Sequence, residues 1–289
     1  MSKIKIAHLS DPHFASITYN LNQFLSKRWL GNTNLICFRN KTYQTDHLTH
    51  IPNLLSSLGV DAVCITGDFT TTSLDAEYER ARAFVDQFKE LNLKTFVLPG
   101  NHDVYTRESE RSARFHHYFP SSLEKNRIEV QNIAERWWYI GLDCALATGL
   151  VFSNGKFFDQ MQIDLEKAIA SIPPNEFIII ANHFPLFSAV NWRHGLVGAK
   201  KLTQILKRHA NIKLYLHGHD HVPYIVDKVD EGFPLVLNSG SVAHLPKGSF
   251  YMLELSDTGC LVEHLTLNKD DEGSNWSIDK QQRYAFRKD

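Results

Sequence analysis

The 289-residue chain has no Cys-x-x-Cys pair, no apolar run approaching the length of a membrane span, no excess of either charge and no internal repeat. Each absence removes a class of protein. The four cysteines, Cys37, Cys64, Cys144 and Cys260, are widely scattered, and Cys64 lies inside an apolar run that reads as a buried strand. Reduced, structural thiols in a reducing compartment are therefore expected, not a disulfide framework. A membrane helix needs about 20 consecutive apolar residues. The basic amino-terminal stretch MSKIKIAHLSDPHF has neither a long apolar core nor a small-residue cleavage site. A cytoplasmic protein is the expectation. With 31 Lys plus Arg against 32 Asp plus Glu, no global field draws the chain onto nucleic acid or anionic lipid, so any such contact must be local.

The chain does contain short, continuous apolar runs: Ile4–Leu9, Ala62–Thr66, Thr95–Leu98, Trp138–Leu142, Phe177–Ala181, Ile212–Leu216, Leu235–Leu237 and Tyr251–Leu255. Continuous runs predict strands buried on both faces. Helical spacing appears between them. Tyr78, Ala81, Val85, Phe88 and Leu91 share one face behind Ser73 as a candidate N-cap; Met161, Leu165, Ala168 and Ile172 do so behind Asp159. The charged cluster Glu77, Glu79, Arg80 and Arg82 reads as the solvated side of the first helix. Strand and helix alternate in the first half, and the stretch after Leu214 is mostly strands and turns, which predicts an α/β fold in a single domain, residues 1–267. Residues 268–289 are polar and charged and read as a loosely attached tail.

Metal-competent side chains stand just past the carboxyl ends of these runs: Asp11 and His13, then Asp68, then Asn101, His102 and Asp103, then His183, then His219 and His221. In open α/β sheets this is where ligands bind. Carboxylate, imidazole and amide oxygen without thiolate suit manganese, iron or zinc. On an extended strand end, Asp-x-His and His-x-His place both side chains on one side. Of the remaining histidines, His8 inside the first run and His217 before the last block read as packed residues, and His47, His50, His116, His117, His194, His209 and His244 as surface or core.

The ordered set Asp11-Pro12-His13, Gly67-Asp68, Gly100-Asn101-His102-Asp103, Asn182-His183 and Gly218-His219-Asp220-His221 resembles the calcineurin-like metallophosphoesterases from Asp11 to His221. The resemblance implies a four-layer αββα sandwich of two mixed sheets with a dinuclear metal site at the strand ends. It implies Asp11, His13 and His221 on one ion, Asn101, His183 and His219 on the other, and Asp68 bridging, with two divalent ions, manganese first, as cofactors. His102 would face the substrate and assist the leaving group, with Asp103 orienting its ring through a hydrogen bond. Hydroxide bridging the ions at Asp68 would attack phosphorus. The implied substrate is a small-molecule phosphodiester or pyrophosphate, with cyclic nucleotides and UDP-diacylglucosamine-type lipid pyrophosphates as candidates. A nuclease is one alternative, weakened by the balanced charge; a non-catalytic metal-binding scaffold is another.

One segment has two readings. Residues 17–45 interleave Phe24, Trp29, Leu30, Phe38 and Tyr43 with Lys27, Arg28, Arg39 and Lys41. An insertion of this length is either a cap completing the core or a lid able to bind an amphiphilic substrate or rest on a membrane surface.

Overall fold

The computed structural model describes residues 3–16, 45–149, 151–187, 193–245, 247–270 and 273–287. In chain order the strands are β1 (Ile4–Leu9), β2 (Ala62–Ile65), β3 (Lys94–Val97), β4 (Ile128–Ala134), β5 (Trp137–Leu142), β6 (Gly155–Lys156), β7 (Phe177–Ala181), β8 (Leu196–Val197), β9 (Ile212–His217), β10 (Tyr224–Val226), β11 (Leu235–Asn238), β12 (Ser249–Leu255), β13 (Gly259–Asp270) and β14 (Gly273–Ala285). The helices are α1 (Ile51–Ser57), α2 (Asp75–Glu90), α3 (Arg107–Arg111), α4 (Arg114–Tyr118), α5 (Leu123–Asn126), α6 (Asp159–Ser171) and α7 (Ala199–Arg208).

Two six-stranded sheets form the centre, in the orders β14-β13-β12-β1-β2-β3 and β10-β11-β9-β7-β5-β4. Both are mixed. Strands β1, β2 and β3 run parallel, as do β5, β7, β9 and β11; β4, β10, β12, β13 and β14 add antiparallel, and β6 and β8 form a separate two-stranded parallel sheet. The continuous apolar runs have a physical cause: successive residues of one strand feed different cores. Ile6 and Cys64 face the space between the sheets with Tyr139, Ile179 and Leu216. Ala7, Val63 and Ile65 face outward against Leu55 of α1 and Tyr78, Val85 and Phe88 of α2. On the far side Ile178 and Ile180 pack on Met161 and Leu165 of α6 and Leu202 and Ile205 of α7. Three cores in four layers make the expected αββα sandwich.

Helix starts differ from expectation. Leu74, not Ser73, occupies the N-cap of α2, and Glu77 is buried there, its carboxylate accepting from the backbone N–H of Leu74 at 3.1 Å and of Thr72 at 2.8 Å. Its partners are orphan N–H groups at a helix start, so it belongs to no solvated face. Asp159 is the first residue of α6 behind Phe158 and pairs with Lys201 at 2.6 Å.

The carboxyl-terminal region departs most. Residues expected as a loose tail from 268 on form most of the β13–β14 ribbon at the edge of the first sheet, and Trp276, Phe286 and Arg287 are buried. The ribbon's polarity reflects one strand facing solvent at a sheet edge. The Arg287 guanidinium donates to the carbonyls of Leu206 (2.6 Å), His209 and Ile212 (3.1 Å), closing the end of α7. The segment 17–45, expected as lid or cap, lies outside the described residues except for Thr45. Among the described residues no helix is long and apolar enough to cross a membrane.

Candidate metal centre

The loops leaving β1 and β2 run side by side. Asp11 donates its backbone N–H to Gly67, His13 to Asp68 and Phe14 to Phe69, at 2.8–3.0 Å. Along them the backbone is turned rather than extended: φ is 55° at Asp11, 46° at His13, 56° at Asp68, 76° at His219 and 56° at His221. The expectation of extended strand ends is therefore corrected. Left-handed residues bring both members of each pair to one side, and such conformations in non-glycine residues persist only where surrounding contacts fix them. Close approach also needs absent side chains. A Cβ on Gly100 would lie 2.2 Å from Asp68 Oδ1, and one on Gly218 1.8 Å from Ser10 Oγ.

These turns gather side chains from both sheets. His13 Nε2 and His221 Nε2 stand 2.9 Å apart, with Asp11 Oδ1 3.0 Å from His221 Nε2 and 3.6 Å from His13 Nε2. His183 Nε2 lies 3.1 Å from His219 Nδ1 and 3.2 Å from Asn101 Oδ1. Between the two groups is Asp68 Oδ2, 3.8 Å from His13 Nε2 and 3.4 Å from His183 Nε2. Asp11, His13, Asp68 and His221 thus form one set of potential donors, and Asp68, His183 and His219 another. All seven expected ligands come together. Metal–nitrogen and metal–oxygen bonds of about 2.1 Å place neighbouring ligands of an octahedral ion about 3.0 Å apart. The observed separations near 3 Å and the mixed carboxylate, imidazole and amide donors fit divalent ions.

The surrounding bonds orient these donors. His183 Nδ1 faces the Thr66 carbonyl at 2.6 Å, so it carries a proton and Nε2 turns to the centre. Asp68 spends Oδ1 on the His102 backbone N–H, at 2.8 Å, leaving Oδ2 for the shared position. Asp11 Oδ2 accepts from His219 N–H at 3.1 Å. Burial opposes charge throughout, yet the imidazoles of His183, His102 and His13 hold Asp68 well below the usual carboxylate range. Against the same burial, the Asp68 charge and hydrogen bond push His183 up to about 9. His219 goes the other way, to about 3, through burial and the nearby His183.

His102 and Asp103 take different parts from those expected of them as a pair. The His102 ring is edge-on to His13, with centroids 5.0 Å apart, and stacked on Tyr105. Its Nδ1 meets the Thr71 carbonyl at 2.7 Å. Asp103 does not orient that ring. Its carboxylate accepts backbone N–H groups of Phe69, Thr70 and Gly100 at 2.9–3.1 Å and ties the loop after β3 to the loop after β2. Four acceptor positions are satisfied more easily by rigid backbone donors than by one mobile imidazole. Ser73, at φ 59°, braces the same loop by donating to the His102 carbonyl at 2.8 Å.

His8 and His217 are buried, as expected of packed residues. Burial, with His217 near, lowers His8 to about 3, and burial lowers His217 to about 4. His194, read as a surface or core histidine, has its ring centroid 6.2 Å from that of His219. Asp220, between two donors, accepts from Tyr224 Oη at 2.8 Å. Nothing in the spacing of the chain marked Thr66, Thr71 or Tyr224, because two of them act through backbone carbonyls and the third comes from a neighbouring strand.

Residues 4–223 match the family model described as calcineurin-like phosphoesterase. The 3′,5′-cyclic adenosine monophosphate phosphodiesterase of Haemophilus influenzae is 29% identical over 164 residues, covering 56% of this chain and 54% of that protein. A probable glycerophosphodiester phosphodiesterase of Arcobacter nitrofigilis is 25% identical over 179 residues, 60% of each. The matches span little more than half the length of these relatives. Among solved structures, a dimetal phosphatase from Danio rerio superposes with a TM-score of 0.68 at 14% identity, covering 98% of this chain and 99% of that one. Purple acid phosphatase from yellow lupin seeds does so with a TM-score of 0.65 at 12% identity, covering 98% and 54%. These two likenesses are of fold. With the family model matched across most of the chain and its motif residues gathered at one centre, the chain belongs to the calcineurin-like phosphoesterases.

Proposed function

We propose that the protein hydrolyses phosphodiester bonds of small molecules at a dinuclear divalent-metal site, with cyclic nucleotides as the leading substrate class. The observation that carries this reading is one carboxylate oxygen, Asp68 Oδ2, positioned between two separate donor sets. Asp11, His13 and His221 would hold one ion, Asn101, His183 and His219 the other, and Asp68 both. Bound ions supply Lewis acidity, lowering the pKa of water and neutralising phosphate oxygens.

The remaining work falls to the chain's own residues. The Thr71 carbonyl holds His102 in place through Nδ1–H. An imidazolium there offers its second proton, at Nε2, to the leaving oxygen. Asp103 keeps the loops of Asp68 and Asn101 in register by accepting their backbone N–H groups. Left-handed backbone at five of the seven donors preorganises them before substrate arrives.

Cyclic nucleotides come first because the Haemophilus relative is named for cyclic AMP, and glycerophosphodiesters second after the Arcobacter relative. Manganese is the first metal to try, then iron and zinc. The purified protein should release p-nitrophenol from bis-p-nitrophenyl phosphate with manganese, and hydrolyse cyclic nucleotides faster than nucleotide pyrophosphates or lipid-linked UDP sugars. Silence with every divalent metal would overturn the enzymatic reading in favour of a scaffold. Faster cleavage of DNA than of any small diester would make it a nuclease.

A further inference from the structure

The β13–β14 ribbon contains a register shift between His264 and Leu265: Leu265 pairs with Ile278, but His264 pairs with Lys280, leaving Asp279 as the extra residue. Such a bulge re-aims side chains. Before it, Trp276 packs into the outer core with Leu265 and Leu267. After it, Gln282 and Tyr284 stand opposite Val262 and Cys260, which belong to the core between the sheets. One strand thus changes face partway along.

The change of face builds a groove. Between edge strand β10 of one sheet and strands β12–β14 of the other lies a space of about 230 Å³ lined by Tyr224, Tyr251, His264, Lys280, Gln282 and Tyr284, among others. The second observation is the state of its polar groups. The bulge residue holds His264, with Asp279 Oδ2 3.3 Å from Nδ1, while the buried Nε2 atom has no hydrogen-bond partner among the described residues. Lys280 has no ion-pair partner among the described residues. A bulge that served only to blunt a sheet edge would not require three tyrosines, an amide and a lysine ammonium around one space.

We propose that this groove is a second, non-catalytic binding site for a small anion built on a planar ring, the chemistry of a nucleoside monophosphate. Tyrosine faces take the ring, Gln282 meets its heteroatoms, and Lys280 meets the phosphate. The groove contains none of the metal donors, although Tyr224 on its wall donates to Asp220, the residue between His219 and His221. The proposal stands on the groove and does not rest on phosphodiesterase activity.

The test is calorimetric titration of the full chain with adenosine 5′-monophosphate, adenosine and inorganic phosphate, each with EDTA present so that the metal centre takes no phosphate. The nucleotide should bind more tightly than either part. Lys280→Ala should weaken the nucleotide by about tenfold or more while leaving adenosine unchanged, and Tyr284→Ala should weaken both. Both variants should keep the parent melting temperature and hydrolysis of bis-p-nitrophenyl phosphate. If Tyr284→Ala melts early, Gln282→Ala takes its place and should weaken nucleotide and adenosine alike. Absence of nucleotide binding, equal binding of phosphate alone, or unchanged affinity in Lys280→Ala overturns the proposal. Failure of the metal-loaded protein to turn over diesters would count against the proposed function and leave this measurement unaffected.

Discussion

His183 determines how the centre responds to acid. Its Nδ1–H is committed to the Thr66 carbonyl, so the second proton it holds up to about pH 9 without metal sits on Nε2, beside Asp68. That proton must leave before Nε2 can donate to an ion. Acid therefore favours the protonated, metal-free site, and affinity should rise with pH towards 9. One displaced proton predicts about a hundredfold weaker manganese binding at pH 6 than at pH 8, measurable by competition with a chelator of known affinity; a flat profile would contradict the assignment of His183. Substitutions should separate binding from proton transfer. Asp68→Ala should lose both ions by elemental analysis together with activity, whereas His102→Ala should keep its metal and lose about 10²–10⁴-fold in kcat. Full activity in a metal-loaded His102→Ala protein would remove His102 from the reaction. The donors were legible in the chain because each follows an apolar run. The orienting groups Thr66 and Thr71 were not, since any residue type can supply a backbone carbonyl.

At the scale of loops and strands, Asp103 and Arg287 act alike: each is a buried ionisable group satisfied mainly by backbone. Asp103→Asn would present an amide N–H₂ to backbone donors from the β2 and β3 loops. The expected cost is about 1–3 kcal/mol, seen as a lower melting temperature together with reduced metal retention. A residue that oriented only the His102 ring would lower kcat and leave melting unchanged. Arg287→Ala should cost about 2–3 kcal/mol in denaturant unfolding, because the guanidinium closes the end of α7. Arg287→Lys should recover little, as an ammonium cannot span the same set of carbonyls. Visibility in the sequence follows burial. Strands β1, β2, β5, β7, β9, β11 and β12 have core on both faces and announce themselves as predominantly apolar runs. Strands β13 and β14 escaped because a ribbon at a sheet edge carries polar residues on its solvent side, and a bulge breaks the alternation that would have revealed it.

Viewed whole, the chain lays down β1–β3, builds the entire second sheet, and returns to finish the first with β12–β14. Charge is balanced over the molecule yet concentrated at one point, where two carboxylates and four imidazoles meet. The α/β class followed from alternating runs, and the layer count and two mixed sheets from the family resemblance; strand order, and with it which strands lie at the edges, did not, because pairing partners far apart in the chain leave no local trace. The donor sets have a mechanical aspect. Asp11, His13, Asp68 and Asn101 leave strands of one sheet, and His183, His219 and His221 leave strands of the other, so each set draws on both. Ions seated there would rivet the two sheets at their mouth, adding about 2.7 kcal/mol of stability at a hundredfold excess over the dissociation constant. A chain severed in the connection between β3 and β4 keeps its pieces paired through β1 and β12, and manganese should raise its melting temperature where a chelator lowers it, so that the same ions would serve as catalyst and as fastener.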